Sequence, residues 1–389
     1  MTAADLSPFD ALDLDVLRAR QSAKWRVYPE DVLPAWVAEM DFPVADPIRA
    51  ALHASIDAND CGYAFSGGLP EDFADWARAT WGWVVAPGDV FLVPDVVTGL
   101  EALLRVVTEP GDGVVIDPPV YPPFAGTLRA TGRKVVTTPL ARVGEGFAMD
   151  LDAVAKAYAA GAKAHVLCSP HNPSGIVLAK ETLIALGDLA AKYGVVVLSD
   201  EIHAPLTLPG ATHHPFASVS EAARETSVVL TSSSKTWNLA GLKAALLVGQ
   251  GAVGRKALSR LPAEMPYHAG HFGVLASRAA FRHGEGWRRA VLSVLDRNRR
   301  TLSARLAESL PEVRYVPQAA GYLAWLDFRA TDLGDDPSRV LLEKGRVALS
   351  AGPSFGSEGR GFARLNVATS AGLLEEAVRR IVLAVRSPK

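Results

Sequence analysis

Four short, largely apolar runs constrain this chain more than any other feature: residues 113–116, 165–167, 195–198 and 227–230. They are rich in β-branched residues and do not alternate polar with apolar, the pattern of strands buried on both faces. Helical periodicity falls between them. Across 182–193, Leu183, Leu186, Leu189 and Ala190 recur at the spacing of one helix face. Strands alternating with helices build right-handed βαβ crossovers and a mostly parallel sheet. Such sheets bind ligands beyond the carboxyl ends of their strands, so the chemistry should be sought where these runs stop.

All four stop in polar or turn residues. The run 195–198 leads into Ser199, Asp200, Glu201, Ile202 and His203; a carboxylate at the end of a buried strand is costly unless it meets a cation. The run 227–230 leads into three serines and Lys235. The run 165–167 leads into Cys-Ser-Pro-His-Asn-Pro-Ser-Gly at 168–175, a proline-bounded turn that fixes the amide of Asn172. The run 113–116 leads into Asp-Pro-Pro-Val-Tyr-Pro-Pro-Phe at 117–124, which fixes the ring of Tyr121. One sheet edge thus receives an acid, a lysine, an amide and an aromatic ring. Taken singly each has a plainer explanation: Asp200 as a helix N-cap, Lys235 as an exposed loop lysine, Tyr121 as part of a proline-rich loop. The combination carries the weight.

The rest of the chain predicts a second domain. An Arg-rich amphipathic stretch at 287–310 carries Val291, Leu295 and Leu302, strands follow at 321–328 and 347–350, and a closing helix at 373–386. The division is a large domain over 46–285 and a smaller α+β domain from 286–389 joined by the segment 1–45, which 389 residues comfortably allow. With 40 basic and 42 acidic side chains, the net charge of −2 argues against a nucleic-acid or membrane-surface partner. Cys61 and Cys168 lack disulfide-framework or zinc spacing, and His213, His214, His268 and His271 stand without a further ligand at motif spacing, so no metal is expected. No apolar run approaches a membrane span and residues 1–10 lack a signal-peptide pattern, so a cytoplasmic protein is expected.

In order, these motifs resemble the pyridoxal-phosphate enzymes of the aspartate-aminotransferase fold, and within them the MalY/PatB group of cystathionine β-lyases. The resemblance runs nearly end to end. It rests on Pro-Ala-Trp-Val-Ala-Glu-Met-Asp-Phe at 34–42, Pro-Pro-Val-Tyr-Pro-Pro-Phe at 118–124, His-Asn-Pro-Ser-Gly at 171–175 and Ser-Asp-Glu-Ile-His at 199–203. Further along stand Ser-Lys-Thr-Trp-Asn-Leu-Ala-Gly-Leu at 234–242, Gly-Pro-Ser-Phe-Gly at 352–356 and Phe-Ala-Arg-Leu-Asn at 362–366. It implies the type I fold of pyridoxal-phosphate-dependent transferases: a large α/β domain with a mostly parallel central sheet, and a smaller C-terminal α+β domain. It also implies a cofactor, pyridoxal 5′-phosphate, and a homodimer.

By this resemblance Lys235 would hold the cofactor as a Schiff base and then remove the α-proton of an amino-acid substrate, which requires a depressed amine pKa. Asp200 would pair with the pyridine nitrogen, Tyr121 would stack on the ring, and Asn172 would hydrogen-bond its phenolate oxygen and border the substrate. His203 would sit near that same oxygen, or else be a packed core histidine. Ser232, Ser234 and the helix opening at Val96 and Val97 would take the phosphate. Asp95 stands where relatives usually carry glycine and is expected to turn away as the helix N-cap. Lys243 stands where aminotransferases use an arginine, either serving the phosphate or lying outside it. Arg364 would bind the substrate carboxylate, Trp36 would contact the substrate, and Trp36 and Asp41 would belong to the N-terminal segment that lines the substrate side. Tyr63 would reach the phosphate of the neighbouring subunit, making each active site a product of two chains.

The implied reaction is β-elimination from cystathionine or another L-cysteine S-conjugate, giving a thiol, pyruvate and ammonia. An aminotransferase on the same scaffold is one alternative. The other is a cofactor-binding regulatory protein, since members of the MalY group can act through protein contacts.

Overall fold

A computed structural model describes residues 6–387; residues 1–5 and 388–389, which include part of the stretch read for a signal peptide, lie outside the described residues. Seven strands form the central sheet: β1 (Val90–Val93), β2 (Gly113–Ile116), β3 (Lys134–Thr137), β4 (Ala164–Cys168), β5 (Val196–Asp200), β6 (Ser227–Thr231) and β7 (Ala245–Val248). Their spatial order is β1-β7-β6-β5-β4-β2-β3. Every pairing is parallel except the two made by β7.

Successive residues of the buried strands face opposite layers, as the pleat requires. Val114 and Leu198 pack with Leu100 and Leu103 on one side. Val115 and Val197 pack with Leu183 and Leu186 on the other. Both faces are covered by helices, which explains the absence of polar alternation in the sequence. β5 runs on to Asp200 because β4 and β6 still flank it there: Cys168 and Leu230 are its registered neighbours. The carboxylate is thus fixed by strand backbone.

β7 has a special consequence. Because it returns antiparallel beside β6, the connection over 232–244 stays at the carboxyl-end edge of the sheet. It carries both Lys235 and Lys243, and opens with the single helical turn Ser233–Thr236.

The helices α1 (Val96–Val107), α2 (Glu285–Ser309) and α3 (Ala371–Arg386) matter most below. α2 and α3 pack on the smaller antiparallel sheet, in which Arg314–Tyr315, Leu323–Asp327, Phe362–Asn366 and Ser350–Ala351 lie side by side. Val291, Leu295, Leu326, Leu365 and Ile381 belong to this second core. No helix among the described residues is long and apolar enough to cross a membrane.

The segment 33–41 is stitched to both bodies. Leu33–Pro34 pairs in parallel with Val347–Ala348. Asn366 Nδ2 donates to the carbonyls of Val37 and Glu39 at 2.8 and 2.6 Å. Towards the large domain, Met40 and Asn238 exchange two hydrogen bonds of 2.8 and 2.9 Å. Asp41 ends this segment with its side chain turned into the interior. It is buried against Lys24 at 2.8 Å and accepts from Trp25 Nε1 at 3.1 Å. A buried carboxylate takes the cation within reach, and that cation comes from a short helix the sequence motif does not include.

Candidate active site

At the end of β6, Ser232 caps the turn Ser233–Thr236: its Oγ accepts from Ser234 N at 3.0 Å and donates to Ala244 O at 2.7 Å. The turn lifts Lys235 into a cavity of about 460 Å³ between the sheet edge and the small domain. Asp200, Tyr121, Asn172, His203, Arg364, Ser234, Lys243 and the start of α1 at Val96 and Val97 line the same cavity. Of the residues nominated from sequence, Trp36, Asp41 and Tyr63 do not.

Lys235 Nζ donates to Ala38 O at 3.0 Å. Burial, and next the positive charge of Arg364, push its ammonium down to about 8. Asp200 is buried, and burial pushes its carboxyl up to about 7 despite a 3.1 Å hydrogen bond from Ile202 N. No ion pair within 4.0 Å is made by Asp200 among the described residues. His203 is also buried. Desolvation, then the charges of Lys235 and Arg364, push it down to about 3, so the imidazole is neutral. Its Nδ1 is buried without a hydrogen-bond partner.

Arg364 projects from the strand Phe362–Asn366. One terminal nitrogen donates to Asn172 Oδ1 at 2.8 Å, the other to Trp36 O at 3.2 Å and Ser350 Oγ at 3.1 Å. The guanidinium lies 4.9 Å from the ring centroid of Phe355, and burial pushes it down to about 10. Tyr121 packs edge-on against Phe124 at 5.6 Å. Burial, then the Asp200 charge, hold its phenol above the usual value.

Three expectations change in detail. Trp36 meets Arg364 through its backbone carbonyl, while its ring packs edge-on against Tyr28 at 5.9 Å, so the indole is not a wall of the cavity. The Ser232 proton is committed to Ala244 O, leaving Ser234 as the freer hydroxyl. Asp95 does cap α1, accepting from Thr98 N at 2.8 Å, yet it is not turned away. Its second oxygen pairs with Lys243 at 3.2 Å. Against the upward push of burial, the Thr98 amide and Lys243 hold this carboxyl below its usual value.

Two contributors escaped the sequence reading. Ala38 acts through its carbonyl, which no side-chain pattern reveals. Tyr322, fully buried, donates from its hydroxyl to that same carbonyl at 3.1 Å; its signal was one phenol at the head of an apolar strand. Tyr63 lies elsewhere, on the surface, with 85% of its area exposed.

Residues 38–381 match the family model for class I and II aminotransferases. The chain belongs to that family. Cystathionine β-lyase PatB of Bacillus subtilis is 37% identical over 374 residues, covering 94% of this chain and 97% of PatB. A cystathionine β-lyase of Corynebacterium glutamicum is also 37% identical, over 95% of this chain and 98% of its own length. The crystal structure of cystalysin from Treponema denticola, which contains a pyridoxal 5′-phosphate cofactor, has a TM-score of 0.89 at 26% identity, covering 95% of this chain and 97% of cystalysin.

The donor set fits that group. A buried acid with no cationic partner suits a protonated ring nitrogen, and a desolvated amine suits an aldehyde. The neutral His203 and the Asn172 amide suit a phenolate edge, and the α1 amides with Lys243 suit a phosphate. No cluster of three His, Cys, Asp or Glu side chains forms a metal site among the described residues.

Proposed function

We propose that the protein binds pyridoxal 5′-phosphate and is a C–S β-lyase, cleaving cystathionine or another L-cysteine S-conjugate to a thiol, pyruvate and ammonia. What carries this reading is the near full-length likeness to cystathionine β-lyases in a chain whose cavity brings Lys235, Asp200, Tyr121, Asn172 and Arg364 together. When bound, the cofactor supplies an electron sink for the pair left on the substrate's α-carbon.

The residues of the chain do the rest. Arg364 takes the α-carboxylate with its planar fork, already aimed by Asn172, Trp36 O and Ser350. Lys235 Nζ takes the α-proton; an amine with a pKa of about 8 is both available and basic near neutrality. Ala38 O, itself held by Tyr322, gives that amine a fixed acceptor beside the substrate. Asp200, buried in the same cavity, would hold the cofactor's protonated ring nitrogen with its negative charge, an interaction strengthened in a dry site. The carbon–sulfur bond would then break with its electron pair leaving on sulfur, which takes up a proton in place of the one removed from the α-carbon to leave as the thiol, and the remaining three-carbon unit would take up water to leave as pyruvate and ammonia.

An aminotransferase would use the same Lys235, Asp200 and Arg364, and the family model bears that description. The two reactions separate in one assay. Purified protein given L-cystathionine is expected to release pyruvate at the same rate with and without 2-oxoglutarate. Amino-group transfer that strictly requires the keto acid, with no pyruvate in its absence, would assign a transaminase instead. Bound cofactor with negligible turnover of either kind would favour the regulatory alternative.

We further propose a homodimer with shared active sites. The observation behind it is aromatic surface outside the chain's own cavity: Tyr63 and Phe65 are 85% and 78% exposed on one segment. Mixing Tyr63→Phe and Lys235→Ala proteins should regenerate activity, since one site of each mixed dimer would hold an intact lysine and an intact tyrosine. No recovery after verified subunit exchange would count against shared sites.

A further inference from the structure

The phosphate end of the cavity contains an unexpected charge. α1 points its first amides, at Val96 and Val97, into this end, and a helix start favours an anion. Yet the residue that caps it, Asp95, is a carboxylate lining the same space. One oxygen is tied to Thr98 N at 2.8 Å, and the other pairs with Lys243 Nζ at 3.2 Å. The cap bond keeps the carboxylate in place: Asp95 cannot leave without uncapping α1.

Lys243 is equally well fixed at its root. Its backbone lies in the left-handed region, with φ of 60°. That conformation is unfavourable for a lysine and persists only where surroundings enforce it. Gly270 N donates to Lys243 O at 2.7 Å, and Ser232 Oγ donates to the adjacent Ala244 O at 2.7 Å. A Cβ on Gly270 would stand 2.2 Å from Leu242 O, so the close approach requires glycine there. Two anchored backbones thus aim one cation and one anion at each other across the mouth of a phosphate cup.

The formal charge of the pair is zero. An arriving phosphate must therefore draw Lys243 away from Asp95, and must afterwards tolerate the carboxylate the cap retains. An ammonium is a point charge, less able than a guanidinium to serve two anions in fixed directions. We propose that Asp95 and Lys243 form a displaceable counter-ion pair that weakens the hold of this protein on its cofactor's phosphate group. The pair would narrow the preference for the phosphorylated cofactor over its unphosphorylated form, and make that preference less sensitive to salt than a purely cationic cup would. This inference rests on the proposal that the cavity takes pyridoxal 5′-phosphate.

The test measures binding and needs no turnover. Apoprotein is titrated with pyridoxal 5′-phosphate and, separately, with pyridoxal, following visible absorption and tryptophan fluorescence at low and high salt. Asp95→Asn keeps a side chain of equal capping ability and removes the charge. It is expected to tighten the phosphorylated ligand by about tenfold or more at low salt, with pyridoxal changed less than about twofold, and the gain should shrink at high salt. Lys243→Met should weaken the phosphorylated ligand. In the double variant the benefit of Asp95→Asn should be smaller, because the neutralised lysine is no longer there to be freed. Asp95→Ser, which also caps, guards against a misfolded Asn variant, and thermal melting checks both. If wild-type protein binds pyridoxal 5′-phosphate but neither cap-preserving variant tightens it, the counter-ion role is overturned. If wild-type protein binds neither ligand, the cofactor reading itself fails.

Discussion

Lys235→Ala is expected to reduce kcat by about four orders of magnitude or more, and to remove the visible absorption of the lysine-bound cofactor. The magnitude follows from two losses at one atom. In the proposed reaction the side chain would be both the covalent anchor for the cofactor and the base that takes the α-proton, and the other lysine lining the cavity among the described residues, Lys243, is paired with Asp95. Its environment predicts a second, independent result. In cofactor-free protein the amine is desolvated and faces Arg364, so its ammonium form is disfavoured. Acylation of Lys235 by a small amine-directed reagent, read by peptide mass, should rise through pH 8 while surface lysines respond about two units higher. A variant that keeps both turnover and the visible band would take Lys235 out of the mechanism.

Asp200→Asn should lower kcat by about two to four orders of magnitude while cofactor remains bound. The substitution keeps the shape of the side chain and the hydrogen bond from Ile202 N, but removes the charge that, in the proposed reaction, would hold a proton on the ring nitrogen. Loss of rate with retained visible absorption separates this role from simple failure to bind. Burial pushes the free carboxyl up to about 7 against the pull of the Ile202 amide and the Lys235 charge. Binding a positively charged ring nitrogen should ionise it, so cofactor uptake below pH 7 should release a proton from this site, and Asp200→Asn should abolish that share of the release. Wild-type rates in the variant would refute the role.

The parts of the site legible in sequence were those fixed by strand ends. Asp200, Lys235, Asn172 and Tyr121 each follow a buried apolar run, and such a run both shows in the sequence and dictates where its last residue lies. The antiparallel β7 was passed over, although it keeps the Lys235–Lys243 connection at one edge. Its four apolar residues resemble any other buried strand, and direction is not encoded locally. The side-chain directions of Asp41 and Trp36 were not legible for another reason. Their segment was recognised, but side-chain direction depends on partners, Lys24 and Tyr28, that lie outside the recognised motif. The Asp95–Lys243 contact joins residues 148 positions apart, and the Ala38 carbonyl acts through backbone alone. Neither leaves a periodic trace.

The stitched segment that carries Ala38 bears on the order of events during synthesis. Trp36 O receives Ser350 Oγ across 314 positions of sequence, Ala35 N donates to Ala348 O, and Asp41 N donates to Ala368 O. Residues 35–41, made before the large sheet, therefore wait for partners made after it. The large sheet can assemble beforehand, since its strands close by Val248. The acceptor for Lys235 and the carbonyl that steadies Arg364 are set only when the final strand, Phe362–Asn366, is in hand. A nascent chain can thus have its large sheet in place while the carbonyls of Trp36 and Ala38 still lack the contacts that fix them.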